Sequence, residues 1–436
     1  MSTSWAGRLA PFVAGTALLG LGSTALAATG RPAPEWVRQI APGTWAEVSL
    51  NTLADVDPAK DPEINPRFPG LPPWAPYGQW PLLDAWNGGA FAQGYGQYGA
   101  LILCGGGHAD YYGNEVYAFD LDSRRWQRLT NPYPTPSFPI ENGIWPDGTP
   151  SVSHTYDQVD YHPGTNSFVM MKTQFDNNGG NSSPLVAMFS LDNLKPSDSN
   201  AGRNENRRNW RLSPLNTANF TQSGGWSAYD SRRDLFWAHG GGGSGVMVSF
   251  DPKPAVSNGR FGSFMNFPLR SGASLMSAAY DPVNDIVVFT TFRNAPEVIA
   301  VDLNDPSSGM PGNVKLAQSG TPPAREQAHG WEWSPARRAF VYHRRGAEVF
   351  EFRQQGNNWR IDPWRWTGLT ATSNSVTPLD ARTTGSNGPF SRFRIVSFDD
   401  AEIAITVTRV DGPVYAFRIP PSEVPRPRRP EDLSAR

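Results

Sequence analysis

Apolar and polar residues alternate along this chain in a unit that recurs. Each unit has a run of alternating apolar and polar residues, a short polar turn and a second, more strongly apolar run. Alternation with a period of two is typical of β-strands. Five such pairs follow one another: VDYHPGTNSFVMM, SAYDSRRDLFWAH, SAAYDPVNDIVVFTT, WEWSPARRAFVYH and IVSFDDAEIAITV. The pattern therefore predicts five antiparallel strand pairs.

Further strands extend each pair. An aromatic residue precedes each turn, at Tyr161, Tyr229, Tyr280, Trp333 and Phe398. A third apolar run follows at 185–191, 246–251, 298–302, 348–352 and 414–419. Tryptophan marks a fourth, outer strand at Trp126, Trp210 and Trp359. A unit that recurs about every 50–70 residues is typical of a repeat architecture.

A sixth unit, at the N-terminal side of these five, carries a resemblance to a known family. It is the stretch from Tyr98 to Leu129, YGALILCGGGHADYYGNEVYAFDLDSRRWQRL. Gly-Gly, then Tyr-x-Phe-Asp, then Trp resembles the kelch repeat, which forms one blade of the galactose-oxidase/kelch type of β-propeller. The residues that carry the match are Gly105, Gly106, Tyr117, Phe119, Asp120 and Trp126. The resemblance implies a propeller of the kind found in secreted bacterial proteins.

These units predict an all-β fold, a single β-propeller of six four-stranded antiparallel blades over residues 28–420. The last unit lacks an outer strand, and residues 43–50 (GTWAEVSL) are expected to supply it. Closing the ring in this way removes exposed sheet edges. Seven blades is the alternative, because segments 51–85 and 368–390 are long enough to contain a divergent blade. Residues 421–436 form a Pro/Arg-rich tail.

The first 27 residues are typical of a secretory signal peptide. Arg8 supplies the positive charge, residues 9–21 are apolar, and Ala25-Leu26-Ala27 is a small-residue cleavage site. The mature chain is then expected to begin near Ala28 and to be secreted or periplasmic, with no membrane contact. An uncleaved membrane anchor is the alternative.

The amino-acid composition agrees with this fold and limits the classes of partner that the protein could bind. Across 436 residues, 12% aromatic residues, 43 Gly and 41 Pro suit short strands joined by tight turns. The net charge of −2, without a basic stripe, argues against a nucleic-acid partner. Cys104 is the single cysteine, so no intramolecular disulfide forms, and its apolar run favours a buried thiol.

Histidines are concentrated at one predicted end of the propeller. In an antiparallel blade, the loop between the second and third strands and the connection to the next blade lie on one face. The longest connections, 51–86, 131–153 and 366–391, belong to that face, and so do five of the six histidines. Only His162 maps to the opposite face. Histidine is the side chain best suited to proton transfer or metal ligation near neutral pH.

We expect a catalytic site on that face. Arginine would neutralise a substrate carboxylate, and histidine or tyrosine would take the adjacent proton and protonate the leaving oxygen. That chemistry is β-elimination by a polysaccharide lyase acting on a uronate-containing glycan. The predicted catalytic residues are His108, His154, His239, His329, Tyr156, Arg293 and Arg344. The predicted substrate-binding residues are Trp74, Trp86, Trp145, Gln174 and Arg392.

The same residues also allow other interpretations. The tryptophans of the long connections either stack on sugar rings or pin those loops to the propeller. A non-catalytic kelch-like module that binds glycan or protein is the second hypothesis, and a metal-dependent oxidoreductase the third. Asp110 with His108 leaves open a divalent metal, Zn²⁺ or Ca²⁺, although no tightly spaced ligand motif supports it. We expect a monomer with a polysaccharide or oligosaccharide partner and no certain cofactor.

Overall fold

The computed structural model confirms a six-bladed β-propeller. It describes residues 30–107, 110–136, 143–173, 185–214, 224–240, 246–254, 261–268, 275–291, 297–304, 312–324, 326–374, 376–382 and 387–422. Six separate sheets make up the blades, each with four antiparallel strands, and one of these sheets carries a fifth strand at its edge. The innermost strands of neighbouring blades contact one another in a closed ring. The family resemblance to kelch stays a prediction.

The strands follow the chain in blade order. Strand β1 is Trp45–Glu47. Blade I contains β2 Ala90–Ala92, β3 Ala100–Leu103, β4 Tyr117–Asp120 and β5 Arg125–Arg128. Blade II contains β6 Val159–His162, β7 Ser167–Thr173, β8 Leu185–Ser190 and β9 Trp210–Pro214. Blade III contains β10 Trp226–Asp230, β11 Leu235–His239, β12 Val246–Pro254 and β13 Phe261–Pro268.

The second half of the ring has one additional strand. Blade IV contains β14 Ser277–Asp281, β15 Ile286–Thr291, β16 Glu297–Asp302 and β17 Gly312–Lys315. Blade V contains β18 Gln318–Gly320, β19 Gly330–Ser334, β20 Ala339–His343, β21 Val349–Gln354 and β22 Trp364–Gly368, with β18 parallel to β22 at the edge. Blade VI contains β23 Arg394–Ser397, β24 Glu402–Thr406, β25 Tyr415–Arg418 and the N-terminal β1.

Short helices occur only in connections within the described part of the chain. The α-helices are α1 Glu35–Gln39, α2 Pro81–Asp84 and α3 Asn200–Asn206. The 3₁₀ helices are Leu53–Val56, Pro58–Lys60, Pro163–Thr165, Arg207–Asn209 and Phe390–Arg392. Segment 51–85 therefore holds helical turns instead of a divergent blade. No described helix has the length and apolar character that a membrane span requires.

Ring closure by the N-terminal strand is confirmed. In β1, Trp45 pairs with Phe417 and Glu47 with Tyr415, antiparallel to β25. The Trp45 side chain is buried, and its indole Nε1 donates to the carbonyl oxygen of Ala347 in blade V at 2.9 Å. The closing strand thus ties the two ends of the chain together and also contacts the neighbouring blade.

In three blades, the aromatic residue before the turn is a tyrosine whose hydroxyl bonds across that turn, a contact called the tyrosine lock. The hydroxyl of Tyr161 donates to Asn166 Oδ1 at 2.8 Å, across the turn between the first two strands. The same bond recurs in blades III and IV, where Tyr229 donates to Asp234 and Tyr280 to Asp285, both at 2.7 Å. All three acceptor residues have positive φ, between 43° and 58°. Asn and Asp tolerate this left-handed conformation, so the Tyr-x-x-x-x-Asx spacing marks the turns of blades II, III and IV.

One predicted outer strand lies elsewhere. Trp359 precedes the outer strand of blade V, which begins at Trp364 and also contains Trp366. The Trp359 backbone carbonyl instead accepts a hydrogen bond from Trp364 Nε1 at 3.2 Å. The expectation for Trp359 was therefore wrong, because the Asn358–Asp362 turn intervenes before the strand begins.

The two ends of the propeller axis differ in their connections. We call the end with the loops between second and third strands, and the connections between blades, the loop end. The opposite end carries the turns between first and second strands and is called the turn end. His162, at the last position of β6, lies at the turn end, where its Nε2 is 2.9 Å from Asp234 Oδ1.

Candidate functional site

A ring of left-handed residues closes the axis at the loop end. One residue shortly before the inner strand of every blade has positive φ: Trp86, Tyr156, Gly224, Leu275, Ala328 and Phe390. Backbone hydrogen bonds link some of the successive members. The Tyr156 N–H donates to the Trp86 carbonyl at 2.7 Å, and the Phe390 N–H donates to the Ala328 carbonyl at 3.5 Å. Each inter-blade connection therefore turns inward at the same level of the axis.

The side chains of this ring form an apolar plug. Tyr156, Ala328 and Phe390 are buried together, with Trp86 and Leu275 packed against them, and these five residues are called the axial plug. The rings of Tyr156 and Phe390 meet edge to face at 5.9 Å. Apolar packing in the plug separates the loop end from the interior of the channel.

His154 lies directly beside the axial plug. Its ring is 4.8 Å from the Trp86 ring and 5.9 Å from the Tyr156 ring, which it meets edge on. Asp110 Oδ1 is 3.8 Å from His154 Nε2. Of these groups, Trp86 is partly exposed, whereas His154 is 2% exposed. A histidine, a tyrosine and a carboxylate therefore meet under one accessible aromatic ring.

Polar anchors fix the position of His154. The neighbouring Thr155 donates its N–H to Asn87 Oδ1 at 3.0 Å, and its hydroxyl accepts from the Gly88 N–H at 2.9 Å. Asp110 is placed by the glycines after β3, since a Cβ on Gly107 would overlap the Asp110 carboxylate at 1.4 Å. The three consecutive glycines of the kelch-like motif thus have a steric function in this loop.

A second polar group lies near Ala328 of the plug. Arg344 Nε is 3.6 Å from Glu326 Oε2, and the His329 Nδ1 is 3.2 Å from the Glu326 carbonyl oxygen. Gly388 leaves room for the Arg344 guanidinium, because a Cβ there would be 2.6 Å from its Nη1. Burial, reinforced by Arg344, lowers the pKa of His329 to about 3. His329 is therefore neutral at physiological pH.

The remaining described histidines of this end are packing residues. His239 stacks on Trp226 at 5.9 Å between ring centroids and is fully buried. His343 lies 4.9 Å from the Trp45 ring, and burial lowers the pKa of His343 to about 4. The structure thus brings His154, Tyr156, His329 and Arg344 around the plug but places His239 within the sheet packing of blade III.

Three predicted site residues lie outside the described residues. These are His108, Arg293 and Gln174. Their proposed roles stay predictions.

The other predicted substrate-binding residues are mostly structural. Trp74 and Trp145 are buried, and Trp145 stacks on Tyr133 at 5.1 Å, so both pin the long connections. Arg392 is fully buried and donates to backbone carbonyls only, including Val407 at 3.0 Å and Leu83 at 2.7 Å. This geometry gives Arg392 a role in tying blade VI to the 81–88 segment. Among the predicted tryptophans, Trp86 alone keeps an accessible surface.

A cavity of about 140 Å³ lies on the axis at the turn end. Its charged residues come from inner strands of three blades: Asp160 in β6, Glu332 in β19 and Arg394 in β23. Arg394 Nη1 donates to Glu332 Oε2 at 2.7 Å, and its Nη2 is 3.5 Å from Asp160 Oδ1. Burial raises the pKa of both carboxyls, and the Arg394 charge opposes that rise.

This cavity could not be predicted from local sequence patterns, for a physical reason. Asp160, Glu332 and Arg394 are far apart in the chain and none lies in a long loop. A charge at the centre of an apolar inner strand was the available signal, since ionised side chains are rarely buried unless paired. Within the described chain, no group of three or more His, Cys, Asp or Glu side chains could hold a metal ion.

The chain has only a low similarity to the solved structures with which it was compared. No family model and no curated protein sequence matches the chain. A chain of the mitotic checkpoint complex is 11% identical with a TM-score of 0.40, covering 89% of this chain and 96% of that one. An engineered GH43 glycoside hydrolase is 13% identical with a TM-score of 0.35, covering 75% and 66%. A GH130 mannoside phosphorylase family member is 12% identical with a TM-score of 0.36, covering 92% and 100%.

Proposed function

We propose that this protein is a secreted carbohydrate-active enzyme that cleaves a uronate-containing glycan by β-elimination at the loop end. The observation that carries the proposal is the placement of His154 beside Tyr156, 5.9 Å apart, under the partly exposed Trp86. Aromatic faces stack on sugar rings, and a His–Tyr pair can move protons on both sides of a bond.

The proposed reaction uses the two side chains in sequence. One of His154 and Tyr156 takes the proton from the carbon next to the uronate carboxylate. The electrons form a carbon–carbon double bond as the glycosidic C–O bond breaks, and the other side chain protonates the leaving oxygen. Asp110, 3.8 Å from His154 Nε2, stabilises the protonated imidazole.

Arg344 is the described cation best placed to attract the substrate carboxylate. It lies against Gly388, two residues before Phe390 of the axial plug. Its Nε is 3.6 Å from Glu326 Oε2, a long ion-pair distance. Burial lowers the pKa of Arg344, but an arginine side chain keeps its positive charge in proteins. The positive charge therefore persists beside the plug at any physiological pH.

A direct assay tests the proposal. Purified protein is incubated with a panel of uronate polysaccharides while the absorbance of unsaturated uronate products is followed. We expect product with at least one polymer, and His154→Gln and Tyr156→Phe variants slowed by roughly 10²–10⁴-fold. Tyr95→Phe, which removes only a long 3.4 Å bond to Gln127, is the matched control. Unchanged turnover in both site variants would contradict the assignment.

The second candidate is a glycan-binding module without catalysis. It is favoured by the axial plug, because buried Tyr156 and Phe390 back the partly exposed Trp86 with apolar packing instead of a deep pocket. Binding of a uronate polymer without any product, abolished by Trp86→Ala, would select this candidate. Absence of both binding and product would reject both.

Export is part of the proposal. The sequence of residues 1–27 supports cleavage before Ala28. N-terminal sequencing of the exported protein should begin near Ala28, and an intact Met1 on the exported form would contradict it.

A further inference from the structure

The cavity at the turn end is a separate candidate binding site. It is formed by inner strands of all six blades, and the exposed Gln93 and Pro163 lie at its mouth. A volume of about 140 Å³ holds on the order of ten water molecules, at roughly 10–15 Å³ of accessible volume for each. That is room for one small ring with its polar substituents.

The arginine in this cavity already donates hydrogen bonds to acceptors of the protein itself. Arg394 Nε donates to the Gly89 carbonyl at 3.0 Å and Nη2 donates to the Val159 carbonyl at 2.8 Å. Its Nη1 bonds Glu332 at 2.7 Å. A guanidinium whose N–H groups already have acceptors offers little to an incoming carboxylate. The cavity is therefore not built for an anion.

The net charge of the cavity favours a cation. With both carboxyls ionised, Asp160 and Glu332 contribute two negative charges and Arg394 one positive charge, which leaves one negative charge. Glu332 retains 22% side-chain exposure and Asp160 13%. In a desolvated cavity, one unbalanced charge attracts a cationic group more strongly than it does in water.

The walls of the cavity are flat aromatic rings held in place. Tyr161, Tyr229 and Tyr280 line it, and each uses its hydroxyl in the tyrosine lock of its own turn. Trp333 occupies the corresponding position in blade V. The ring faces are thus fixed before any ligand arrives, which limits the entropy lost on binding. Aromatic faces suit both a sugar ring and a cationic group.

We propose that the turn-end cavity binds a protonated amino sugar. The aromatic walls would pack on the pyranose ring, the carboxylates of Asp160 and Glu332 would accept from its ammonium and hydroxyl groups, and Gln93 would close the mouth. This site is distinct from the proposed uronate site, since the axial plug lies between them. It requires no catalytic step and holds whether or not the loop end is catalytic.

The test compares three sugars that share a ring and differ in charge. Calorimetric titrations near neutral pH use D-glucosamine, N-acetyl-D-glucosamine and D-glucuronate as probes. We expect D-glucosamine to bind in the millimolar range or tighter, with the neutral sugar at least about 10-fold weaker and the anion undetected. Equal binding of all three, or no binding of D-glucosamine, would overturn the proposal.

Two variants test whether D-glucosamine binds in the turn-end cavity. Gln93→Trp places a large side chain at the exposed mouth without touching the Arg394 network, and it should abolish D-glucosamine binding. Glu332→Gln should weaken binding by about 10- to 100-fold, as expected for loss of a charge-assisted hydrogen bond. Tyr95→Phe serves as the control. Full affinity in the Gln93→Trp protein would place the ligand elsewhere and contradict the assignment.

Discussion

The loop end and the turn end of this propeller differ in what occupies the central axis. At the loop end, the chain turns inward at six left-handed residues, and the side chains of five of them form the apolar plug. At the turn end, short turns locked by tyrosine leave the axis open as a cavity lined by Asp160, Glu332 and Arg394. Long connections therefore surround a closed axis, and short turns surround an open one.

The difference shows that loop length and pocket position are separate properties. Long connections bring polar residues such as Asp110 and His154 together beside the plug, next to the partly exposed Trp86. The inner strands instead determine the channel, because their side chains point toward the axis whatever the loops do. A propeller can thus hold a broad site and a narrow cavity at opposite ends.

The largest effect is expected from opening the ring, because both ends of the propeller depend on its closure. Deleting residues 40–50 removes β1 and exposes the edge of β25, so the whole domain should lose stability in one transition. The single variant Trp45→Ala should cost about 3–5 kcal/mol, as for other buried aromatic residues. Thermal unfolding measures both changes.

The control for this prediction is Ile361→Ala, because Ile361 is 73% exposed. A deletion variant that melts like the intact protein, or frays at one end only, would show that β1 is dispensable and that the ring model is incorrect.

The next largest effect is expected from removing the buried positive charge at the turn end. Arg394→Met leaves the buried Asp160 and Glu332 without their cation and should cost about 3–5 kcal/mol at neutral pH. Burial holds the pKa of both carboxyls above the usual range, so the folded state binds protons more readily than the unfolded chain. Stability of the variant should therefore rise as pH falls toward the ordinary carboxyl pKa.

Chemical denaturation of wild type and variant at neutral and mildly acidic pH measures this response. A variant that remains as stable as wild type at neutral pH would mean that the acid–arginine group does not hold the turn end together.

A smaller effect concerns the buried histidines of the loop end. Burial lowers the pKa of His343 to about 4, whereas the unfolded histidine titrates near 6.5. The unfolded state thus takes up the proton first, and stability present above about pH 6.5 is lost as pH falls through about 4. His343→Phe keeps the packing on Trp45 and Phe393 and should flatten this part of the pH dependence.

Denaturation midpoints between pH 7 and pH 4 test the point. A slope unchanged by His343→Phe would assign the acid sensitivity to other groups.

The smallest effect is expected at one tyrosine lock. Tyr280→Phe removes the hydroxyl that donates to Asp285 at 2.7 Å and should cost about 1 kcal/mol. The loss stays small because Asp285 keeps two contacts of 2.7 Å with Arg233. Equilibrium unfolding should show a modest shift of the midpoint, and a loss as large as that of Arg394→Met would indicate a wider role for the lock.

Sequence patterns predicted the blades because each strand pair carries its own local signal. The aromatic residue before each turn lies within its own strand pair, and the closing strand GTWAEVSL was inferred from the missing outer strand of the last unit. The outer strand of blade V was misplaced to Trp359, because three nearby tryptophans give no indication of which begins the strand. Local patterns suffice for strands and fail at turns of irregular length.

The candidate sites were harder to predict because they depend on which way side chains point. His154 and Tyr156 were expected at one pocket near the axis, and the structure places Tyr156 in the plug and His154 beside it. His239 and Arg392 were expected to contact substrate, but tertiary packing buries them among Trp226 and backbone carbonyls. The Asp160–Arg394–Glu332 group spans three blades, so no sequence window contains it.

Hydrogen exchange with and without a uronate oligosaccharide tests most directly which end of the propeller is functional. Protection should appear in peptides that contain Trp86, Asp110 and His154, and not in those that contain Glu332. Protection confined to the inner-strand residues around Asp160 and Glu332 would contradict the account, since it would place the acidic glycan at the turn end.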